Sequence, residues 1–499
     1  MSIIVKQMHG FFSPNSVAVV GASKKINKAG HVIFKNFAEN RRRGVFKGEL
    51  YPVNLHEDYV LGFKCYPSLS KIPGRVELAV IVVPAAAVPN VMKEAATKGV
   101  RSVVIISAGF SEIGKTELEN AVVSIAKKAD IRVLGPNCLG VYDISTGVDM
   151  LFLPETKVLT TGDVFVATPR PMAGHIAMIT QSGAFGVAAL DYLTGRQMGI
   201  SKFVSFGNKC DVDESEMLEY FLHDQETWII LLYAEAIEAG RKFMRVAERV
   251  TEKKPIIVFK TGRTKAGARA AASHTGAIAG SDKIYDAAFA QVGVFRVQDM
   301  EEFFDVGKAF AFQPPAEGDN IGILTDAGGP SVMAVDECES KGLTVKKFSE
   351  ETLSKFENLK LKGALPKFAT SLNPVDITGS ATSEMFELSA KIMLDAPEIN
   401  ALIVLGLHHT PALQEDFVDR IASLAKHYTK PIVACDIGET EMALFIRSRF
   451  EKLGIPAYSS PEDASRAIAA LVYYGEYLEK KGCFDDYVEK WARRRSVKS

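Results

Sequence analysis

The stretch Ile179-Thr180-Gln181-Ser182-Gly183-Ala184-Phe185-Gly186-Val187-Ala188-Ala189-Leu190-Asp191 occurs twice in altered form. It lines up with Leu324-Thr325-Asp326-Ala327-Gly328-Gly329-Pro330-Ser331-Val332-Met333-Ala334-Val335-Asp336 at a constant offset of 145 residues. Thr, Gly, Val, Ala and Asp coincide at 180/325, 183/328, 187/332, 189/334 and 191/336. Each copy reads as a strand, a small-residue turn and a helix. A chain built this way holds at least two copies of one β/α domain, and strands alternating with helices pack as parallel, doubly wound sheets. Each helix begins with amides that lack partners inside it, beside a glycine that permits close approach, which is an anion site. Plain strand-to-helix turns in duplicated domains are the alternative reading.

The chain has 499 residues, too many for one core, and roughly three domains are expected. Residues 16–145 alternate β-branched runs (16–20, 49–53, 78–83, 102–106 and 132–134) with stretches of helical spacing near 92–99 and 118–129. A second β/α region has strands at 176–179, 202–206, 228–232 and 256–259, and a third at 320–324, 401–405 and 431–435. Residues 149–172 contain Pro154, Pro169 and Pro171 and read as an irregular connection; 313–318 read as a linker. The expected fold is α/β, with three doubly wound Rossmann- or flavodoxin-like domains over 1–148, 149–312 and 313–499. The basic end, 491–499, reads as frayed.

Ligands of such sheets sit beyond the carboxyl ends of the strands. The first region offers Gly21-Ala22-Ser23, Val53-Asn54, Pro84-Ala85, Ser107-Ala108-Gly109 and Gly135-Pro136-Asn137 there. A nicotinamide fingerprint needs G-x-G-x-x-G and an acid after the second strand. Here Gly21 is followed by Ser23 and then Gly30, and the second strand ends in Val53-Asn54, which disfavours NAD. A nucleotide with a 3′-phosphate, such as coenzyme A, suits a serine-containing loop at a helix start, though Gly21 alone also fits an ordinary turn. The net charge of −1 gives no field favouring nucleic acid or a membrane surface. The six cysteines form no CxxC, so no zinc knuckle or disulfide framework is indicated, and reduced thiols in the cytoplasm fit best. The N-terminus has no basic-then-apolar signal pattern. The apolar run 78–91 is broken by Pro84 and Pro89 and is too short to span a bilayer. No metal site is evident: His408-His409 reads as a surface pair without a third ligand, and Cys138 as a packing thiol.

After the apolar run 256–259 comes Lys260-Thr261-Gly262-Arg263-Thr264-Lys265-Ala266-Gly267-Ala268-Arg269, then Ala270-Ala271-Ala272-Ser273-His274-Thr275-Gly276-Ala277. This reads as a long, small-residue, basic loop with one histidine. A loop without apolar anchors is more often functional than structural, and a histidine in it could serve as base, ligand or nucleophile. A solvated loop with an incidental histidine is the other reading, and the stretch alone does not choose. Glu235, just past the strand 228–232, could orient His274 through one ring nitrogen.

Val19-Val20-Gly21-Ala22-Ser23, Tyr51-Pro52-Val53-Asn54, Val83-Pro84-Ala85, Ser107-Ala108-Gly109-Phe110, Gly135-Pro136-Asn137-Cys138-Leu139-Gly140, Thr180-Gln181-Ser182-Gly183, Tyr233-Ala234-Glu235, Ser273-His274-Thr275-Gly276-Ala277 and Asp326-Ala327-Gly328-Gly329-Pro330 are weak singly. In this order and spacing they resemble the alpha subunits of ADP-forming acyl-CoA synthetases, the acetate–CoA ligase family related to succinyl-CoA synthetase. The resemblance runs from Phe11 to about Tyr477. It implies a CoA-binding domain and two ligase-CoA domains. It also implies that His274 is transiently phosphorylated and that Glu235 steadies it. CoA is implied at Gly21, Ala22, Ser23, Val53, Asn54, Pro84, Ala85, Ser107, Ala108 and Asn137, and phosphate at Ser182, Gly183, Gly328 and Gly329. Lys260, Arg263, Lys265 and Arg269 could offset phosphate charge. The implied reaction converts acyl-CoA, ADP and phosphate reversibly to carboxylic acid, CoA and ATP. No ATP-grasp segment and no G-x-x-x-x-G-K-[ST] motif occurs in the sequence. A separate ATP-grasp beta subunit holding ADP/ATP and Mg2+ is therefore implied, in an alpha2beta2 assembly, with a small carboxylic acid as substrate. A non-catalytic CoA-binding regulatory scaffold is the rival, and the intact Ser273-His274-Thr275-Gly276 counts against it.

Overall fold

The computed structural model describes residues 3–275 and 282–496, with side chains described for 3–270 and 282–495. Two compact units result, Met1–Val297 and Gln298–Ser499.

The first unit holds two large sheets. Strands β1 (Ser16–Val20), β2 (Glu49–Val53), β3 (Leu78–Ile81), β4 (Ser102–Ile105) and β5 (Arg132–Leu134) form a parallel sheet in the order β2-β1-β3-β4-β5. Such strands are covered on both faces, and β1, β3 and β4 are accordingly buried throughout and apolar apart from the serines that open β1 and β4. The second sheet comprises β6 (Gly140–Asp143), β7 (Val148–Asp149), β8 (Ala173–Thr180), β9 (Ile200–Ser205), β10 (Ile229–Ala234), β11 (Ile256–Lys260) and β12 (Phe295–Val297), ordered β12-β11-β10-β8-β9-β6-β7. Strand β6 pairs antiparallel with β9, and the rest from β9 to β12 are parallel. One continuous apolar core runs from Val19 and Leu134 to Ile179 and Leu232, so the two sheets share their interior. The helix Ile3–Phe12 tightens this join by stacking Phe12 on Tyr220 at 4.6 Å.

The second unit holds β13 (Ile321–Thr325), β14 (Val375–Asp376), β15 (Ala401–Leu405), β16 (Ile432–Cys435) and β17 (Ala457–Tyr458) in one parallel sheet ordered β14-β13-β15-β16-β17. This repeats the order β9-β8-β10-β11-β12. The duplicated sequence thus has a duplicated topology, and all three sheets carry the flavodoxin-like order 2-1-3-4-5. The repeated turns start helices α1 (Gly183–Gly195) and α3 (Gly328–Ser340).

Three expectations need correction. The basic stretch after β11 is a short turn followed by helix α2 (Lys265–Thr275), not a long loop. Five of its eleven residues are alanine, which is small yet the strongest helix former, and the Thr264 hydroxyl accepts the Gly267 amide at its start (3.0 Å). Residues 149–172 are not wholly irregular: Thr156–Val158 and Val164–Val166 pair as an antiparallel hairpin with all six residues exposed. The chain end is helical over Phe484–Ser496, where Arg493, Arg494 and Arg495 sit at the favourable end of the helix dipole. No described helix is long and apolar enough to cross a membrane.

Candidate functional site

Strand β1 is followed by Gly21, whose φ of +100° turns the chain sharply; a Cβ there would lie 2.4 Å from the Val82 carbonyl oxygen. Beyond it the Ala22 carbonyl accepts from the Asn54 amide (2.7 Å), and His31 Nδ1 lies 2.8 Å from the Ser23 carbonyl oxygen. Gly21, Ser23, Lys25, Asn54 and His56 line a hollow of about 420 Å³. Val82 and Ala29 line both this hollow and a larger cavity of about 660 Å³, so the two form one trough across the tips of β1, β2 and β3.

The larger cavity joins the two sheets of the first unit. Ser107, Ala108 and Asn137 face it from the first sheet; Gln181, Ser182 and Gly183 face it from the turn between β8 and α1; Gly207, Asn208 and Lys209 follow β9. An Asn208-centred network locks these loops together. Its amide donates to Glu112 (2.7 Å), Glu119 (2.9 Å) and Ser111 (3.0 Å), while its carbonyl accepts from Asn137 (3.4 Å). Leu139, Phe152, Leu153, Ala184 and Val187 give the cavity an apolar wall.

At the N-terminus of α1 the Ser182 hydroxyl accepts the Phe185 amide (3.3 Å), a side-chain cap. The remaining first-turn amides lie at the positive end of the dipole, where an anion is stabilised. Gln181, next to Ser182, spans the point where strand order reverses. Its Nε2 donates to the Ala236 carbonyl (2.6 Å), and its Oε1 accepts the amides of Glu235 (2.6 Å) and Ala236 (3.0 Å). These bonds fix the turn that presents Glu235, itself buried, with Oε1 3.5 Å from the Tyr233 hydroxyl. Strand β11 pairs beside β10 with Lys260 opposite Ala234, so the segment leading to His274 leaves the sheet next to Glu235. Desolvation, followed by the Arg296 charge, lowers the Lys260 ammonium to about 8. His274 falls in the last turn of α2, and its side chain lies outside the described ones.

Of the expected CoA residues, Ser107, Ala108 and Asn137 line the larger cavity and Gly21, Ser23 and Asn54 the smaller hollow. Ala22 and Val53 are buried behind them, and Pro84 and Ala85 follow β3 without lining either space. Cys138 is a packing thiol: it is 3% exposed, its Sγ lies 3.3 Å from the Ile105 carbonyl, and burial pushes it up to about 12. Gln181, Asn208 and Lys209 join the expected residues at the cavity; each lies just beyond a strand end, where the sequence rule points. Phe152 and Leu153 carry no signal, because they precede the hairpin in a stretch that reads as a connection.

In the second unit, Gly328 and Gly329 open α3 without a side-chain cap. The buried Asp326 plays the bridging part, accepting the Leu407 amide (3.1 Å) and the Thr410 hydroxyl (2.6 Å); burial raises its carboxyl above the aspartate range despite these bonds. His408 corrects the surface-pair expectation. Its side chain is only 7% exposed, and Nδ1 lies 2.8 Å from the Asp436 carboxylate, whereas His409 is exposed. Among the described residues, no group of three or more His, Cys, Asp or Glu could hold a metal ion.

Three family models match: a CoA binding domain over 15–143, a succinyl-CoA ligase like flavodoxin domain over 173–310, and a ligase-CoA domain over 321–475. Over 484 residues the chain is 40% identical to the alpha subunit of the ADP-forming acetate–CoA ligase I of Pyrococcus furiosus, covering 95% of this chain and 99% of that one. The chain belongs to the ADP-forming acyl-CoA ligase alpha-subunit family. It is 38% identical to the ADP-forming acetate–CoA ligase of Methanocaldococcus jannaschii, of whose length it spans 64%. A structure of Ca. Korarchaeum cryptofilum dinucleotide forming acetyl-coenzyme A synthetase 1, in complex with phosphate and ADP, matches with a TM-score of 0.85 and 37% identity. That match covers 95% of this chain and 98% of the other.

Proposed function

We propose that this ligase-family chain supplies the CoA site, the acyl-phosphate site and the phosphohistidine of a reversible ADP-forming acyl-CoA synthetase. The observation that carries the reading is the trough that runs from the Gly21–Asn54 hollow to the N-terminus of α1. Its span and small-residue tips suit an extended CoA, and Lys25 and Lys28 line the hollow where phosphate charge would lie. Its far end sets a helix N-terminus where the thioester would lie.

An oxygen of inorganic phosphate attacks the thioester carbonyl carbon, the C–S bond breaks, and CoA leaves as its thiolate and takes up a proton. An imidazole nitrogen of His274 then attacks phosphorus; the bond to the acyl oxygen breaks and the carboxylate departs. The phosphohistidine passes its phosphoryl group to the terminal oxygen of ADP, restoring the imidazole and forming ATP. Glu235 holds the imidazole through its other nitrogen. Ser182 and Gly183 receive the phosphoryl oxygens at the start of α1, and Gly328 and Gly329 offer the matching phosphate-binding helix start within the second unit. ADP and Mg2+ bind mainly on a separate ATP-grasp beta subunit, in an alpha2beta2 assembly working in the cytoplasm. The apolar wall of the cavity suits a small monocarboxylic acid.

The test is to incubate the chain with labelled phosphate and short acyl-CoAs, in parallel with His274→Ala. Acid-labile, base-stable label that requires acyl-CoA and is absent from the variant is expected. No label in either protein, with an ATP-grasp partner and ATP supplied, would sink the reading and leave a CoA-binding scaffold.

A further inference from the structure

We propose that Lys209 holds the phosphoryl oxygens of the acyl phosphate, a role that rests on the reading above and names a residue it does not need. Among the described residues lining the 660 Å³ cavity, Lys209 has the only cationic side chain. A transferring phosphoryl group carries charge that a helix dipole alone neutralises only in part, and preorganised cations are the usual complement.

The backbone is built to put this side chain there. Lys209 adopts a φ of +56°, a left-handed conformation that costs any residue with a Cβ and that clusters at functional sites. Gly207 before it has φ of +59°, and a Cβ there would lie 2.1 Å from the Pro136 carbonyl oxygen. The Asn208 amide donates to that same oxygen (2.9 Å), and the Cys210 amide to Gly135 (3.0 Å). The side chain is 9% exposed, and its Nζ reaches the Ala236 carbonyl at 2.8 Å and Glu214 at 3.2 Å. An ammonium has three N–H donors, so a third remains for a ligand in the cavity. The contact with Ala236 sets the ammonium at the turn that Gln181 braces and that presents Glu235.

The competing account is structural: Lys209 only neutralises the buried Glu214, which is 1% exposed. The double variant Lys209→Met/Glu214→Gln separates the two, because it removes both charges. Phosphate binding is read on the full chain by phosphorus NMR line broadening, CoA binding by calorimetry and folding by Tm. We expect Lys209→Met to bind inorganic phosphate about 10- to 100-fold more weakly, as for a lost charge-assisted hydrogen bond. CoA affinity stays unchanged, and Lys209→Arg falls between. The double variant regains the wild-type Tm but not the phosphate affinity. Equal phosphate binding in wild type and Lys209→Met, recovery of phosphate affinity in the double variant, or no phosphate binding by the wild type overturns the proposal. None of these readouts uses His274. A chain that takes no label on His274 yet binds phosphate through Lys209 would refute the relay and keep this inference.

Discussion

In the first copy of the repeat the Thr180 hydroxyl donates to the Ser182 carbonyl (2.8 Å) and accepts its amide (3.1 Å). In the second copy Thr325 does the same with Ala327, at 3.0 and 2.9 Å. The strand-to-helix turn is thus set by one threonine in both. The next residue then reaches across to the neighbouring strand end in both, but with different chemistry. Gln181 braces the Glu235 turn with a neutral amide that donates and accepts. Asp326 braces the Leu407–Thr410 turn with a carboxylate that only accepts. The scaffold has been kept through duplication while the tips diverged: one copy presents a carboxylate, Glu235, and the other a histidine held by a carboxylate, His408 with Asp436.

The largest effect expected from breaking this comparison is at Gln181. Gln181→Leu removes the acceptor of the buried Glu235 and Ala236 amides, leaves the Ala236 carbonyl with Lys209 alone, and costs about 3 kcal/mol or more. Loss of labelling on His274 should accompany the lowered denaturation midpoint, since the same bonds place Glu235. An unchanged midpoint with full labelling would mean that the brace is dispensable.

A smaller effect separates the copies one turn into the helix. A Cβ on Gly186 would lie 2.8 Å from Phe203 Cζ and 2.9 Å from Thr180 Cγ2, both in the core. The matching residue in the second copy is Ser331, already with a side chain, which donates to the Gly328 carbonyl (2.7 Å). Gly186→Ala should cost about 1–3 kcal/mol by overpacking, and Ser331→Gly about 0.5 kcal/mol from helix propensity. Urea denaturation of each variant measures both, and equal costs would erase the distinction.

The smallest effect concerns the caps. Ser182→Ala should cost about 1 kcal/mol, and Ala327→Ser should gain a comparable amount, because Ala327 already has the extended backbone of an N-cap, φ −144° and ψ 113°. A thermal melt in which Ala327→Ser lowers Tm would show that the second turn rejects the cap.

Much of this was legible in the chain. Strands at 16–20, 49–53, 132–134 and 401–405 read directly, because a buried parallel strand is a short, mostly apolar and β-branched run. Ser107, Asn137 and Ser182–Gly183 line the cavity because the tips of parallel strands open onto it. Helix α2 was misread because alanine looks the same in a loop and in a helix when no apolar period marks it. The hairpin at 156–166 escaped because its residues are all exposed and carry no alternation of burial. His408 looked like surface because its partner, Asp436, lies 28 residues away, just past the end of the next strand.

By itself the sequence determined the α/β class, the duplication, the family motifs and most strand ends, since these depend on local runs of residues and on spacing along the chain. Only the tertiary structure decided that Gln181 braces the Glu235 turn, that Asn208 ties Asn137 to Glu112 and Glu119, and that Lys209 is the cation of the cavity. Those contacts join loops that leave different strands, and no periodicity within one strand or helix records which loops the sheet order will bring together.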